Sequence, residues 1–102
     1  SLAAWRAALS PWLAAGGLAV VAYDRGDAPD RYAPAERRGH GAHWALVFGE
    51  RGVDVAALHG LSRQPLVATL ADLQRSNAQL EAAAPEWRGA AMNLRDRIVF
   101  LI

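Results

Sequence analysis

The sequence predicts an α+β domain: an antiparallel sheet of about four strands, an N-terminal helix, and a second helix near residues 69–81. Three observations lead there. Apolar residues recur at three- and four-residue steps at the start of the chain, in Leu2, Trp5, Leu9, Trp12 and Leu13, and again in Leu70, Leu73 and Leu80. Between and after these stretches lie short runs rich in β-branched or aromatic residues, bounded by Gly, Asp and Pro. At 102 residues and 53% hydrophobic composition, the chain is one domain that buries about two-thirds of its unfolded surface.

Taken in order, Leu2 to Ala15 reads as an amphipathic helix that Pro11 kinks or splits and Gly16-Gly17 ends. Leu18 to Tyr23 reads as a buried strand closed by Asp24. The stretch from Asp24 to Gly41, full of Asp, Arg, Gly and Pro, has no apolar period and reads as one long loop; loops of that length are uncommon in small domains and are usually functional or disordered. His43 to Gly49 pairs with Val53 to His59 across Glu50-Arg51-Gly52, with Gly52 in the left-handed position. Thr69 is a natural N-cap for the helix to Leu80, with Asp72 in its first turn. Ala82 to Arg97 is expected to be irregular, and Ile98 to Ile102 to be a buried strand that completes the sheet.

The formal charge is +1 and the eleven basic residues, all arginine, are scattered, so nucleic acid and acidic membranes are not expected partners. The longest uncharged stretch, Ala7 to Tyr23, is interrupted by Pro11 and Gly16-Gly17 and falls short of the ~20 apolar residues that span a bilayer. Its two neighbouring tryptophans, Trp5 and Trp12, are unusual for a signal core. There is no cysteine, which excludes disulfides, thiolate metal sites and a cysteine nucleophile within these residues. No cofactor is implied, and the expected compartment is the cytoplasm.

The most informative segment is Gly39-His40-Gly41-Ala42-His43-Trp44-Ala45-Leu46-Val47-Phe48-Gly49, which sets His43 at the mouth of an apolar strand. If Gly49 stands opposite Val53, Val47 faces Val55, Ala45 faces Ala57 and His43 faces His59, with Cβ atoms about 4.5–5.5 Å apart. Small residues share that face with the histidines, while Trp44, Leu46, Phe48 and Leu58 fill the other. Such a histidine is a packed structural residue or the base of an active site. A zinc site built from His40, His43 and His59 with Asp24 or Asp54 is a further option, although His-x-x-His at a loop-to-strand junction lacks the helical spacing of zinc motifs. Ser62 and Ser76 are possible nucleophiles, but neither sits in a Gly-x-Ser-x-Gly elbow.

The run Arg37-Arg38-Gly39-His40-Gly41-Ala42-His43-Trp44-Ala45-Leu46-Val47, then Leu58-His59-Gly60-Leu61-Ser62, then Leu70 to Leu80 with Ser76-Asn77, resembles the C-terminal half of the actin maturation protease family. That family is in turn similar to the double-glycine leader peptidases, which are papain-like cysteine peptidases. The resemblance implies a papain-like half-domain, a hydrolase acting on peptide bonds near an N-terminus, and a peptide or protein substrate. It puts His43 in the place of the general base that forms a thiolate-imidazolium pair. His59 falls where the leader peptidases carry an orienting aspartate, and Asn77 is the candidate substitute by analogy with the asparagine of papain-like sites.

Two departures stand out. Histidine at 59 can orient His43 only as a neutral acceptor, without a carboxylate's charge, and the nucleophilic cysteine is missing. The start at Ser1, directly in an apolar pattern, leads to the expectation of a piece of a longer enzyme whose N-terminal half supplies the cysteine. A non-catalytic peptide-binding or structural module derived from the same fold is the other reading.

Overall fold

The computed structural model describes residues 1–26, 32–82 and 98–101. Its elements run α1 (Leu2–Ala14), β1 (Leu18–Arg25), β2 (Pro34–Ala35), β3 (Ala42–Arg51), β4 (Asp54–Leu58), β5 (Leu66–Thr69), α2 (Leu70–Ala82) and β6 (Ile98–Leu101). The α+β class and both helices agree with the sequence. The sheet, however, has six described strands rather than about four, in the order β2-β1-β3-β4-β5, with β6 also on β1 and every pairing antiparallel. The two strands not anticipated are short: β2 is two residues inside the polar stretch, and β5 is four residues between Pro65 and the start of α2. Of the stretch expected to be irregular, residues 83–97 lie outside those described.

Ser1 caps α1, its hydroxyl accepting the Ala4 N–H at 3.2 Å. The helix contains Pro11 and continues to Ala14, burying Trp5, Leu9 and Leu13 along one face. It closes with a Schellman pair, Gly16 N–H to the Leu13 carbonyl at 3.0 Å and Gly17 N–H to the Trp12 carbonyl at 2.9 Å. At α2 the expected cap is present, with Asp72 N–H donating to Thr69 Oγ1 at 3.1 Å. Leu70 and Leu73 join the buried face of α1 and the inward residues Ala19, Val21, Tyr23, Ala45, Val47, Val55, Ala57 and Leu66 in one core. Each fully buried leucine contributes about 2 kcal/mol by removal of apolar surface from water. The opposite face of the sheet leaves Trp44, Phe48, Leu58 and Val67 exposed.

The hairpin departs from expectation in register. Strands β3 and β4 extend to Arg51 and Asp54, which pair directly, so the connection is the two residues Gly52 and Val53. Leu46 pairs with Leu58 and Val47 with Ala57, and the register then shifts so that Gly49 meets Ala56 and Glu50 meets Val55. The bulge at Phe48 inserts one extra residue into β3, which bends the strand and re-aims the side chains beyond it. Glu50 is thereby brought to α1, where Ser10 Oγ donates to its Oε2 at 2.9 Å. The division of faces read from the sequence holds, with Ala45, Val47, Val55 and Ala57 buried and Trp44, Phe48 and Leu58 exposed. What changes is the partner of His43.

Candidate active site

His43 lies near the start of β3, opposite Tyr23 of β1, so it ends the inward row of Val47 and Ala45 at the rim of the core. Its ring is half-buried and meets the Tyr23 ring edge-on, with centroids 6.1 Å apart at 73°. The two histidines do come together, but not ring to ring. His43 Nε2 hydrogen-bonds the main-chain oxygen of His59. With the Leu46 to Leu58 register, residue 59 no longer stands directly opposite residue 43, so its backbone and not its imidazole reaches His43.

That substitution has a chemical consequence. A carbonyl oxygen only accepts, so Nε2 is the donor in this bond, and in the neutral ring the lone pair then lies on Nδ1. No described residue bonds Nδ1. The neutral imidazole is thus held in one tautomer, with Nδ1 not hydrogen-bonded among the described residues, the arrangement a general base needs.

The loop that delivers the chain to His43 is built around Asp24, which is fully buried. Its Oδ2 accepts the N–H groups of Arg37 at 2.5 Å and Gly39 at 3.0 Å, and its Oδ1 accepts that of Gly41 at 2.7 Å. Gln79 of α2 adds its amide to Oδ2 at 3.2 Å and takes the Arg38 N–H on its own oxygen at 3.0 Å. These bonds hold Arg38 and Gly39 in left-handed conformations, with φ of 55° and 90°. Gly41 completes the cage because a Cβ there would collide with the Arg25 carbonyl oxygen and stand 3.1 Å from Asp24 Oδ1. Gly41→Ala is therefore expected to cost roughly 2 kcal/mol or more, read as a lowered midpoint in urea, since backbone and a buried carboxyl must both move.

Ser76 and Asn77 tie α2 to the same corner. The Ser76 hydroxyl accepts the Asp24 N–H at 2.8 Å and donates to the Ala35 carbonyl at 2.6 Å, which fastens β1, β2 and α2 together. Asn77, fully buried, donates from Nδ2 to the Ala22 carbonyl at 2.7 Å. Its position is one strand away from β3, and that bond makes it a link between α2 and β1. The serines read as possible nucleophiles have other work: Ser76 is in this network, and Ser62 exchanges hydrogen bonds with the backbone of Gln64. His40 is exposed, and no three His, Cys, Asp or Glu side chains among the described residues are grouped to hold a metal, so the residues do not fit the zinc alternative.

Tyr23 is the other unusual group beside His43. Its ring is fully buried, and its hydroxyl has no hydrogen-bond partner among the described residues. Burial pushes its pKa up to about 12, with the nearby Arg25 charge opposing in part. Because the folded state holds the phenol proton more tightly than the unfolded chain, stability is full below pH 10 and falls as pH rises from there to about 12. Tyr23→Phe should remove that alkaline loss and, by deleting an unsatisfied hydroxyl, leave stability at pH 7 unchanged or raise it by about 1 kcal/mol. Urea titrations at pH 7 and in the alkaline range measure both effects.

The chain is 40% identical over 77 residues to the actin maturation protease of Drosophila melanogaster, a match covering 71% of the chain and 28% of that relative. The chain is related to that protease. It spans little more than a quarter of the relative's length, so the match bears on one part of that enzyme. No family model matches the sequence, and no solved structure matches it. No helix among the described residues is long and apolar enough to cross a membrane.

The residues that sequence reasoning missed as organisers of this corner are Asp24, Gly41, Ser76 and Gln79. For Ser76 and Asn77 a signal was present, because they fall between Leu73 and Leu80 on the same helical stripe and so occupy core positions.

Proposed function

We propose that this chain is the base-bearing part of a cysteine peptidase, with His43 as general base and the nucleophilic cysteine outside these 102 residues. The reaction is hydrolysis of a peptide bond in a peptide or protein substrate, with processing near an N-terminus as the leading case. The observation that carries the reading is the geometry of His43: Nε2 donates to a main-chain carbonyl, and Nδ1 has no hydrogen bond among the described residues. The relation to a protease supports the same reaction class.

In this reading Nδ1 takes the thiol proton and the resulting thiolate attacks the peptide carbonyl carbon. The imidazolium then gives its proton to the leaving amine, and water releases the acyl group by the same base in a second step. The His59 carbonyl dipole keeps the ring in its productive orientation and offsets part of the imidazolium charge, in the role a carboxylate has in other triads. Asp24 and its cage act earlier, by fixing the backbone from which His43 projects.

The test is covalent. The complete enzyme, incubated with a peptide bearing a thiol-directed electrophile, should lose hydrolysis in step with a single modification on a cysteine outside this chain, located by mass spectrometry. Hydrolysis that survives full modification of the cysteines would overturn the assignment.

A further inference from the structure

His59 presents its carbonyl to His43 from a tight turn, and its own ring holds that turn together. The Leu61 N–H donates to His59 Nδ1 at 3.2 Å, so Nδ1 is unprotonated and Nε2 carries the hydrogen that faces the Gln64 carbonyl at 3.2 Å. The ring is buried and stacks on Tyr32, with centroids 4.8 Å apart at 29°. Gly60, between the two bonded residues, has a φ of 75°, which only glycine adopts without strain and which folds the Leu61 N–H back onto the ring. A side-chain acceptor bonded to the N–H two residues on is the pattern of an Asx-turn, with imidazole in place of an amide or carboxylate.

We propose that His59 is a positioning residue whose imidazole, in its neutral Nε2–H form, staples the 59–64 turn so that its own main-chain carbonyl selects the tautomer of His43. The side chain acts through the backbone of the same residue, its described contacts being Leu61, Gln64 and Tyr32. This rests on the reading of His43 as a base, but its geometry is testable apart from catalysis. Asparagine at position 59 preserves the bond to the Leu61 N–H and leucine does not, which separates positioning from simple filling of space.

The experiment is long-range 1H–15N correlation of the histidine rings in the uniformly labelled chain near pH 8. In the wild-type chain, His43 should show a protonated Nε2 and a bare Nδ1. In His59→Asn that pattern should persist, and in His59→Leu it should give way to a mixture of tautomers. An unchanged His43 signature in folded His59→Leu would overturn the positioning role. So would a folded His59→Asn in which the signature is lost, and that variant decides the matter if the leucine variant does not fold. A wild-type His43 protonated at Nδ1 is a different failure, since it would remove the open base itself. In the complete enzyme the matching expectation is a kcat lowered about tenfold or more by His59→Leu, with KM nearly unchanged, and largely restored by asparagine.

Discussion

Asp24→Ala is expected to lower the stability of this domain by about 4 kcal/mol, the largest loss for any single side chain in the polar corner. Three backbone N–H groups and the Gln79 amide converge on its two oxygens, and the residue is fully buried. Truncation leaves those donors without acceptors where water does not replace the carboxyl, at about 1–3 kcal/mol each before relaxation. The sum is not additive, because the loop can move to solvent, and relaxation returns part of it. Against a total of about 5–15 kcal/mol for a domain of this kind, the loss is a large share. Asp24→Asn is expected to lose about half as much, since one oxygen remains while the amide N–H₂ faces donors. Urea unfolding at pH 7 measures both, and a loss under about 1 kcal/mol for the alanine variant would mean that the cage does not hold the loop.

The second large effect is on catalysis. In the complete enzyme His43→Ala is expected to lower kcat/KM by about a thousandfold or more, in the range that loss of a positioned general base gives. The ring is half-buried at the rim and among the described residues it hydrogen-bonds to the His59 carbonyl alone, so thermal stability should change little. Asp24→Ala should also reduce activity, but together with stability. Comparing the two variants separates a group that performs chemistry from one that supports it. Retained hydrolysis in His43→Ala would remove the base assignment directly.

How far the sequence reaches is clearest at the hairpin. Alternation along β3 and β4 correctly divides Ala45, Val47, Val55 and Ala57 from Trp44, Phe48 and Leu58, because a period of two comes from the pleat alone. Register does not come from alternation. The two-residue turn at Gly52-Val53 and the bulge at Phe48 together shift the pairing by two residues, so that Val47 meets Ala57 rather than Val55, and only this even net shift keeps the inward face; simple pairing therefore gives His43 a ring as its partner where the structure has a carbonyl. Asp24 is invisible in the sequence for a different reason. Its partners in the loop are backbone N–H groups, which every non-proline residue carries and no side-chain pattern reveals. Asn77 is legible as a position on the α2 stripe, yet only packing shows that its amide is bonded to Ala22 of β1.

Pairing of the His43 base with a cysteine thiol is tested most directly by the pH dependence of alkylation of that thiol by iodoacetamide in the complete enzyme. With His43 present, reaction should already be fast at about pH 6, because an adjacent imidazolium stabilises the thiolate, and in His43→Ala the inflection should move up toward about 8.5, the value of an ordinary cysteine. The same inflection in both proteins would contradict the pairing.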